Sequence, residues 1–277
     1  LPSAIPGHRQ GITFTLARGT LIIAAGVEEQ CLKGRTVFRF LLTCLAFLGA
    51  AMPPILAEAA PARIILLRHG EKRDDFRLCD MGLLRARAVA DQYLGASART
   101  PLLAPGQKPA AIFAVTLHAL ETAAPTSASW TQPVVLYAVL PEEIQGYSDW
   151  RAGFPAAIAE RNRWVTRLLM DDPYWAGQTV FVFWEHHAIA NEALEQANPG
   201  QQMTLRQTLR LDQLPDVPRT WPDNTYDYFW IIDFAPDGTP LKFQMKKQEF
   251  TGPFGKLPSN DWGMPDGLDP ITTGCKR

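Results

Sequence analysis

Arg63-Ile64-Ile65-Leu66-Leu67 is an unbroken apolar run behind a single arginine. A run without polar alternation predicts a strand buried on both faces, the kind found at the centre of a parallel sheet. Further apolar runs at residues 110–115, 134–139 and 179–184 predict three more strands. Residues 228–234 and 241–245 flank Pro236-Asp237-Gly238, a turn signal, and so predict a closing antiparallel pair. Between these lie helical patterns. Asp80 is placed to cap a helix to about Leu94, which Gly95 ends. Ala119 to Trp130 predicts a second helix, interrupted by Pro125. Ile158, Trp164, Val165, Leu168 and Leu169 have helical spacing within residues 155–170, and a fourth helix is expected from about Ala188 to Gln196. Strands alternating with helices predict a three-layer α/β sandwich with a mostly parallel central sheet.

The N-terminal pattern differs. Lys33, Arg35 and Arg39 precede an apolar run from Phe40 to Ala51, and Ala57-Glu58-Ala59 offers a small-residue cleavage site. This is the layout of a cleaved signal peptide, with a mature start near Ala60. The run falls short of the ~20 residues of a spanning helix, and Pro53-Pro54 follows it, so no stable membrane span is expected. Residues before about Lys33 fit no part of such a signal and read as an upstream extension. The expected location is therefore periplasmic or secreted. Loss of the signal would remove Cys31 and Cys44, leaving Cys79 and Cys275 either disulfide-bonded or as two free thiols.

Composition narrows the function classes. A hydrophobic fraction of 47% over 277 residues supplies a substantial core. A net charge of -1, with both signs mixed along the chain, supplies no field for nucleic acid. Any grip on an anion must come from local charges. In open α/β sheets ligands bind beyond the carboxyl ends of strands, which singles out Arg68-His69-Gly70-Glu71-Lys72 and Glu185-His186-His187. An imidazole nitrogen can attack phosphorus and split hydrolysis into two easier steps, while cationic donors stabilise the transferred group. His69 is the candidate nucleophile, Arg68 and His186 are phosphate donors, and Gly70 permits close backbone approach.

Four blocks carry a family resemblance. Leu67-Arg68-His69-Gly70-Glu71, Leu78-Cys79-Asp80-Met81-Gly82-Leu83-Leu84-Arg85-Ala86, His118-Ala119-Leu120-Glu121-Thr122-Ala123 and Trp184-Glu185-His186 resemble, in order, the motifs of the histidine phosphatase, or phosphoglycerate mutase-like, superfamily. The resemblance covers about Arg63 to Phe250 and implies a phosphatase-like domain over residues 60–277, behind an extension and signal over 1–59. It implies phosphomonoester hydrolysis through a phosphohistidine on His69, a small phosphorylated substrate, and no metal or other cofactor. It also implies a carboxylate proton donor. Leu140-Pro141-Glu142-Glu143-Ile144-Gln145-Gly146 fits the family's acid motif with Glu142 as donor and Glu143 as second choice. Glu185 is the weaker candidate, because side chains alternate along a strand and it would point away from His186.

His118 stands where the family has a second phosphate-binding arginine. A histidine near its usual pKa is only partly charged at neutral pH, so the site either favours acid or has lost activity. Lys72 or Arg73 is placed to supply the missing charge. Two rival readings are a metallohydrolase using the histidines and a phosphate-ligand binder without turnover. Against the first, His186 and His187 on one strand would project to opposite faces and could not share an ion. A mutase role on cytosolic sugar phosphates does not fit an exported protein.

Overall fold

The computed structural model describes residues 59–140, 143, 150–267 and 269–276. The expected signal segment and Glu142 lie outside the described residues. Six strands form one sheet in the order β3-β2-β4-β1-β5-β6. They are β1 (Arg63–Arg68), β2 (Ala111–Ala114), β3 (Val134–Leu136), β4 (Thr179–Trp184), β5 (Tyr228–Phe234) and β6 (Pro240–Lys247). β3, β2, β4 and β1 run parallel, and β5 and β6 close the sheet antiparallel. The fold is the expected α/β sandwich with a mostly parallel sheet.

Consecutive residues of the strands enter opposite cores. Ile64 and Leu66 pack with Val180, Val182, Trp184 and Trp230 on one face. Ile65 and Leu67 pack with Phe181, Phe183 and Phe229 on the other. The runs lack polar alternation because both faces are covered. Helix α3 (Trp150–Asp171) covers the first face through Ile158, Val165 and Leu169. Val89 of α1 (Asp80–Val89), the following π-helical turn Ala90–Leu94, and Ala119 and Ala123 of α2 (Leu117–Trp130) cover the second.

Several boundaries differ from the expected ones. Cys79, not Asp80, is the N-cap of α1. Pro125 lies inside α2 without ending it. An internal proline costs roughly 3 kcal/mol, which burial of Ala119, Thr122, Ala123 and Thr126 on the same helix offsets. α3 begins at Trp150 and carries Pro155 within it. The helix expected over 188–196 is two short ones, α4 (His186–Ile189) and α5 (Glu192–Ala197), because the Asn191 side chain accepts from the Leu194 amide and starts a new cap. Two further short helical pieces, α6 (Leu205–Thr208) and a 3-10 turn at Leu211–Gln213, occupy the loop after α5. Among the described residues, no helix is long and apolar enough to cross a membrane.

Candidate active site

The parallel register sets Arg68 beside Trp184 and Phe183 beside Ala114, so β1, β4 and β2 end at one edge. The chain leaves that edge at His69, Glu185 and Thr116. His69 is held by its amide bonding to the Trp184 carbonyl at 3.1 Å, and it is fully buried. Behind the second segment, buried Asn162 of α3 accepts from Trp184 Nε1 at 2.7 Å and donates to the Ala188 and Met203 carbonyls. One side chain thus fixes where β4 hands over to α4.

The strand stops at Trp184, and Glu185 is the N-cap of α4. Alternation therefore fails one residue before it was expected to aim Glu185 away. Instead its carboxylate lies between two rings, 3.0 Å from His69 Nε2 and 2.5 Å from His186 Nδ1. The ring centroids of His69 and His186 are 5.8 Å apart. His69 Nδ1 faces the Gly70 carbonyl at 2.7 Å. With its N–H given to that carbonyl, the neutral ring presents its Nε2 lone pair to Glu185. Burial lowers His69 from 6.5 to about 4, against the pull of Glu185. Burial alone would raise the Glu185 carboxyl, but His186 and His69 beside it hold it well below the usual range.

Three buried polar atoms of this edge lack an aligned hydrogen-bond partner: His69 Nε2, His186 Nδ1 and Arg68 Nε. Such atoms are rare in folded proteins, and a catalytic role or a bound ligand is one physical reason for them. Glu185 approaches both rings closely, but without an aligned hydrogen bond to either.

Arg68 sits in the same layer with its guanidinium 3.9 Å over the Tyr226 ring. Its Nη1 donates to the carbonyls of Pro222, Asp223 and Thr225 at 2.8–3.1 Å. The arginine thus holds the 222–225 loop, and that loop delivers Asp223. Asp223 Oδ1 meets His186 Nε2 at 3.0 Å and His187 Nε2 at 2.7 Å. The His186 hydrogen bond keeps the Asp223 carboxyl far below its ordinary value. Adjacent histidines at the start of α4 do not diverge as they would on a strand, and their ring centroids are 4.0 Å apart. His186 and His187 therefore share Asp223 instead of projecting to opposite faces as expected. Two sets, His69-Glu185-His186 and His186-His187-Asp223, bring donor atoms within 4.8 Å of one another and have the chemistry to hold a divalent metal.

Other expected residues take different parts. The Gly70 amide donates to Thr122 Oγ1 at 2.9 Å, and a Cβ on Gly70 would meet the Gly82 carbonyl oxygen at 2.9 Å. The bare face of this glycine thus serves packing on α1, not the approach of an anion. His118 is 5.4 Å from His69 by ring centroid, and its Nε2 donates to the Asp74 carbonyl at 2.8 Å. Burial lowers its pKa, so the neutral ring has no second N–H to offer and is not the replacement cation. Lys72 lines the adjoining cavity, while Arg73 is exposed and pairs with Asp80 at 3.1 Å. Glu143 is exposed, paired with Arg161 and bonded to the Leu140 amide, and the Arg161 hydrogen bond holds its carboxyl low.

Sequence reasoning ranked Glu185 below Glu142 and Glu143 and did not single out Asp223 or Tyr226. A cavity of about 550 Å³ opens beside Glu185, Lys72, His118 and His187. His69 lies behind Glu185, which is half in the cavity wall and half against the nucleophile candidate.

No protein-family model matches the sequence, and no curated protein does. Among solved structures, the chain is similar to mycobacterial glucosyl-3-phosphoglycerate phosphatase in its native form, with 15% identity over 69% of this chain and 99% of that one and a TM-score of 0.38. The same enzyme in complex with inorganic phosphate gives 14% identity, 75% and 100% coverage, and a TM-score of 0.36. The alpha-ribazole phosphatase from Shigella flexneri gives 15% identity, 67% and 97% coverage, and a TM-score of 0.37. These structures belong to the superfamily that the four sequence blocks resemble.

Proposed function

We propose that the protein is a phosphatase that hydrolyses phosphomonoesters through a phosphohistidine on His69. One observation carries the reading: at the carboxyl edge of the central strand, the Nε2 of a neutral, fully buried His69 is turned by the Gly70 carbonyl toward a carboxylate that a second histidine also holds. A neutral imidazole so oriented is a nucleophile with an acid–base group at its side.

A phosphate monoester monoanion enters as Glu185 turns into the cavity and takes the proton of the phosphoryl group. His69 Nε2 attacks phosphorus, the N–P bond forms, and Glu185 gives the proton to the leaving ester oxygen as the P–O bond breaks. Glu185, again a carboxylate, then draws a proton from water, whose oxygen displaces His69 as the N–P bond breaks, and Glu185 passes that proton to the departing phosphate. Lys72 on the cavity wall, His186 and the unpartnered Nε of Arg68 are the donors available to the phosphoryl oxygens.

A second reading, binding of phosphate-bearing ligands without turnover, is favoured by the three carbonyls that occupy Arg68 Nη1 and by the carboxylate that seals His69. The deciding experiment is turnover of phenyl phosphate in the presence of a chelator, followed by trapping of acid-labile phosphate and mapping of the labelled fragment. Label on His69 and loss of turnover in His69→Ala are expected. Chelator-sensitive turnover that survives His69→Ala would instead favour the metal chemistry of the His186-His187-Asp223 set. Export to the periplasm or beyond is likewise proposed, supported by the signal-like segment and by the Cys79–Cys275 disulfide, a bond suited to an oxidising compartment.

A further inference from the structure

The cavity beside Glu185 has two unlike ends. Lys72, Asp75, His118, Glu185 and His187 supply its ionisable lining, and His118 and Glu185 adjoin His69. Away from it the wall is apolar: Val115 beyond β2, Phe154 and Ile158 on α3, and Ala188 and Leu194 on α4 and α5. Phe76 and Leu117 also line it, although they are 66% and 44% exposed, so the apolar surface continues to the mouth.

The two remaining polar side chains on the described part of the wall each use their oxygen to cap a helix. Thr116 Oγ1 accepts from the Ala119 amide as the N-cap of α2, and Asn191 Oδ1 accepts from the Leu194 amide as the N-cap of α5. A hydroxyl-rich alcohol would exchange its water for a wall with little to return, and unmatched polar groups are costly to bury. An apolar group of the same size gains from leaving water. A volume of about 550 Å³ is ample for a fused aromatic ring or a branched alkyl chain.

We infer that the substrate is a phosphomonoester of an apolar alcohol or phenol, whose hydrocarbon part lies between α3 and the α4–α5 segment while its phosphoryl group faces His69. The inference rests on the phosphatase reading for its orientation, but not for the recognition itself. Non-hydrolysable phosphonates separate the two. On the full chain, calorimetry should give 2-naphthylmethylphosphonate an affinity about 30-fold above methylphosphonate, with a negative heat-capacity change. Ile158→Asn and, independently, Leu194→Asn should collapse that ratio to about 3-fold or less. Equal affinity for the two phosphonates, or tighter binding of a sugar phosphonate, overturns the inference even if His69 is phosphorylated. A retained preference with no turnover of 2-naphthyl phosphate supports the apolar site while removing the catalytic reading.

Discussion

Glu185 Oε2 lies 3.0 Å from His69 Nε2, and the same carboxylate reaches His186 Nδ1 at 2.5 Å. Its place follows from the end of β4 one residue earlier, which lets the N-cap of α4 turn across the sheet edge. In the proposed reaction a carboxylate there serves both half-reactions. Glu185→Gln keeps the shape and removes the proton transfer, so kcat should fall roughly 10²- to 10⁴-fold with KM little changed. With a good leaving group such as 4-nitrophenol, phosphoenzyme should accumulate, because the water step loses its base. A kcat within about 3-fold of the parent would remove Glu185 from the reaction.

Burial of His69 also ties stability to pH. Its pKa falls from 6.5 to about 4 on folding, so between these values the unfolded chain holds a proton that the folded chain does not. Stability is then full above pH 6.5 and is lost as pH falls toward 4, by about 3 kcal/mol at ~1.4 kcal/mol per unit. The depressed Glu185 carboxyl adds a loss of the same sign below its ordinary 4.5. Urea midpoints of the parent and His69→Asn at neutral and acid pH measure this directly. The variant should show the shallower dependence; parallel curves would mean that His69 is not the titrating group.

Under the site, Glu71 and Arg85 form a pair that is 1% and 3% exposed, with Nη2 of Arg85 at 2.6 Å from Oε1 and also bonded to the Pro258 carbonyl. It joins the loop after β1 to α1 and to the C-terminal segment. Arg85→Met leaves a buried carboxylate without its partner and should cost about 3–5 kcal/mol. Adding Glu71→Met should recover a large part of that. A thermal melt in which the single and double variants are equally unstable would show that packing of the arginine, not its charge, matters.

The Cys79–Cys275 bond joins the N-cap of α1 to the C-terminal segment, 196 residues apart in sequence. Cys275→Ser should lower stability by about 2–4 kcal/mol, and reductant should destabilise the parent but not the variant. Thiol titration of the unfolded, unreduced fragment 60–277 should find neither cysteine free. Two titratable thiols there would refute the bond.

The apolar runs made the sheet legible, because burial on both faces leaves no polar alternation in Ile64-Ile65-Leu66-Leu67 or in Val180-Phe181-Val182-Phe183. Order along the chain likewise put His69 and His186 at one edge. What local pattern could not carry was the meaning of contacts between distant segments. Arg68 bonds carbonyls 154 to 157 positions away, so its use as a loop anchor left no mark near residue 68. Asp223 sits in a Pro-Asp-Asn stretch that reads only as a turn. Gly70 was legible as a close approach, but the approaching group is Gly82. For Glu185 the alternation rule was sound to Trp184 and failed where the backbone left the strand.

The position of β1 has a consequence for assembly. It is the first strand described in the chain, yet its neighbours are β4 and β5, which come late in the sequence. During synthesis, Arg68 and His69 must wait beside an unpaired hydrophobic segment until most of the polypeptide has emerged. Such long-range pairing slows folding and exposes the chain to aggregation, so the reactive edge comes into being only when the sheet is complete.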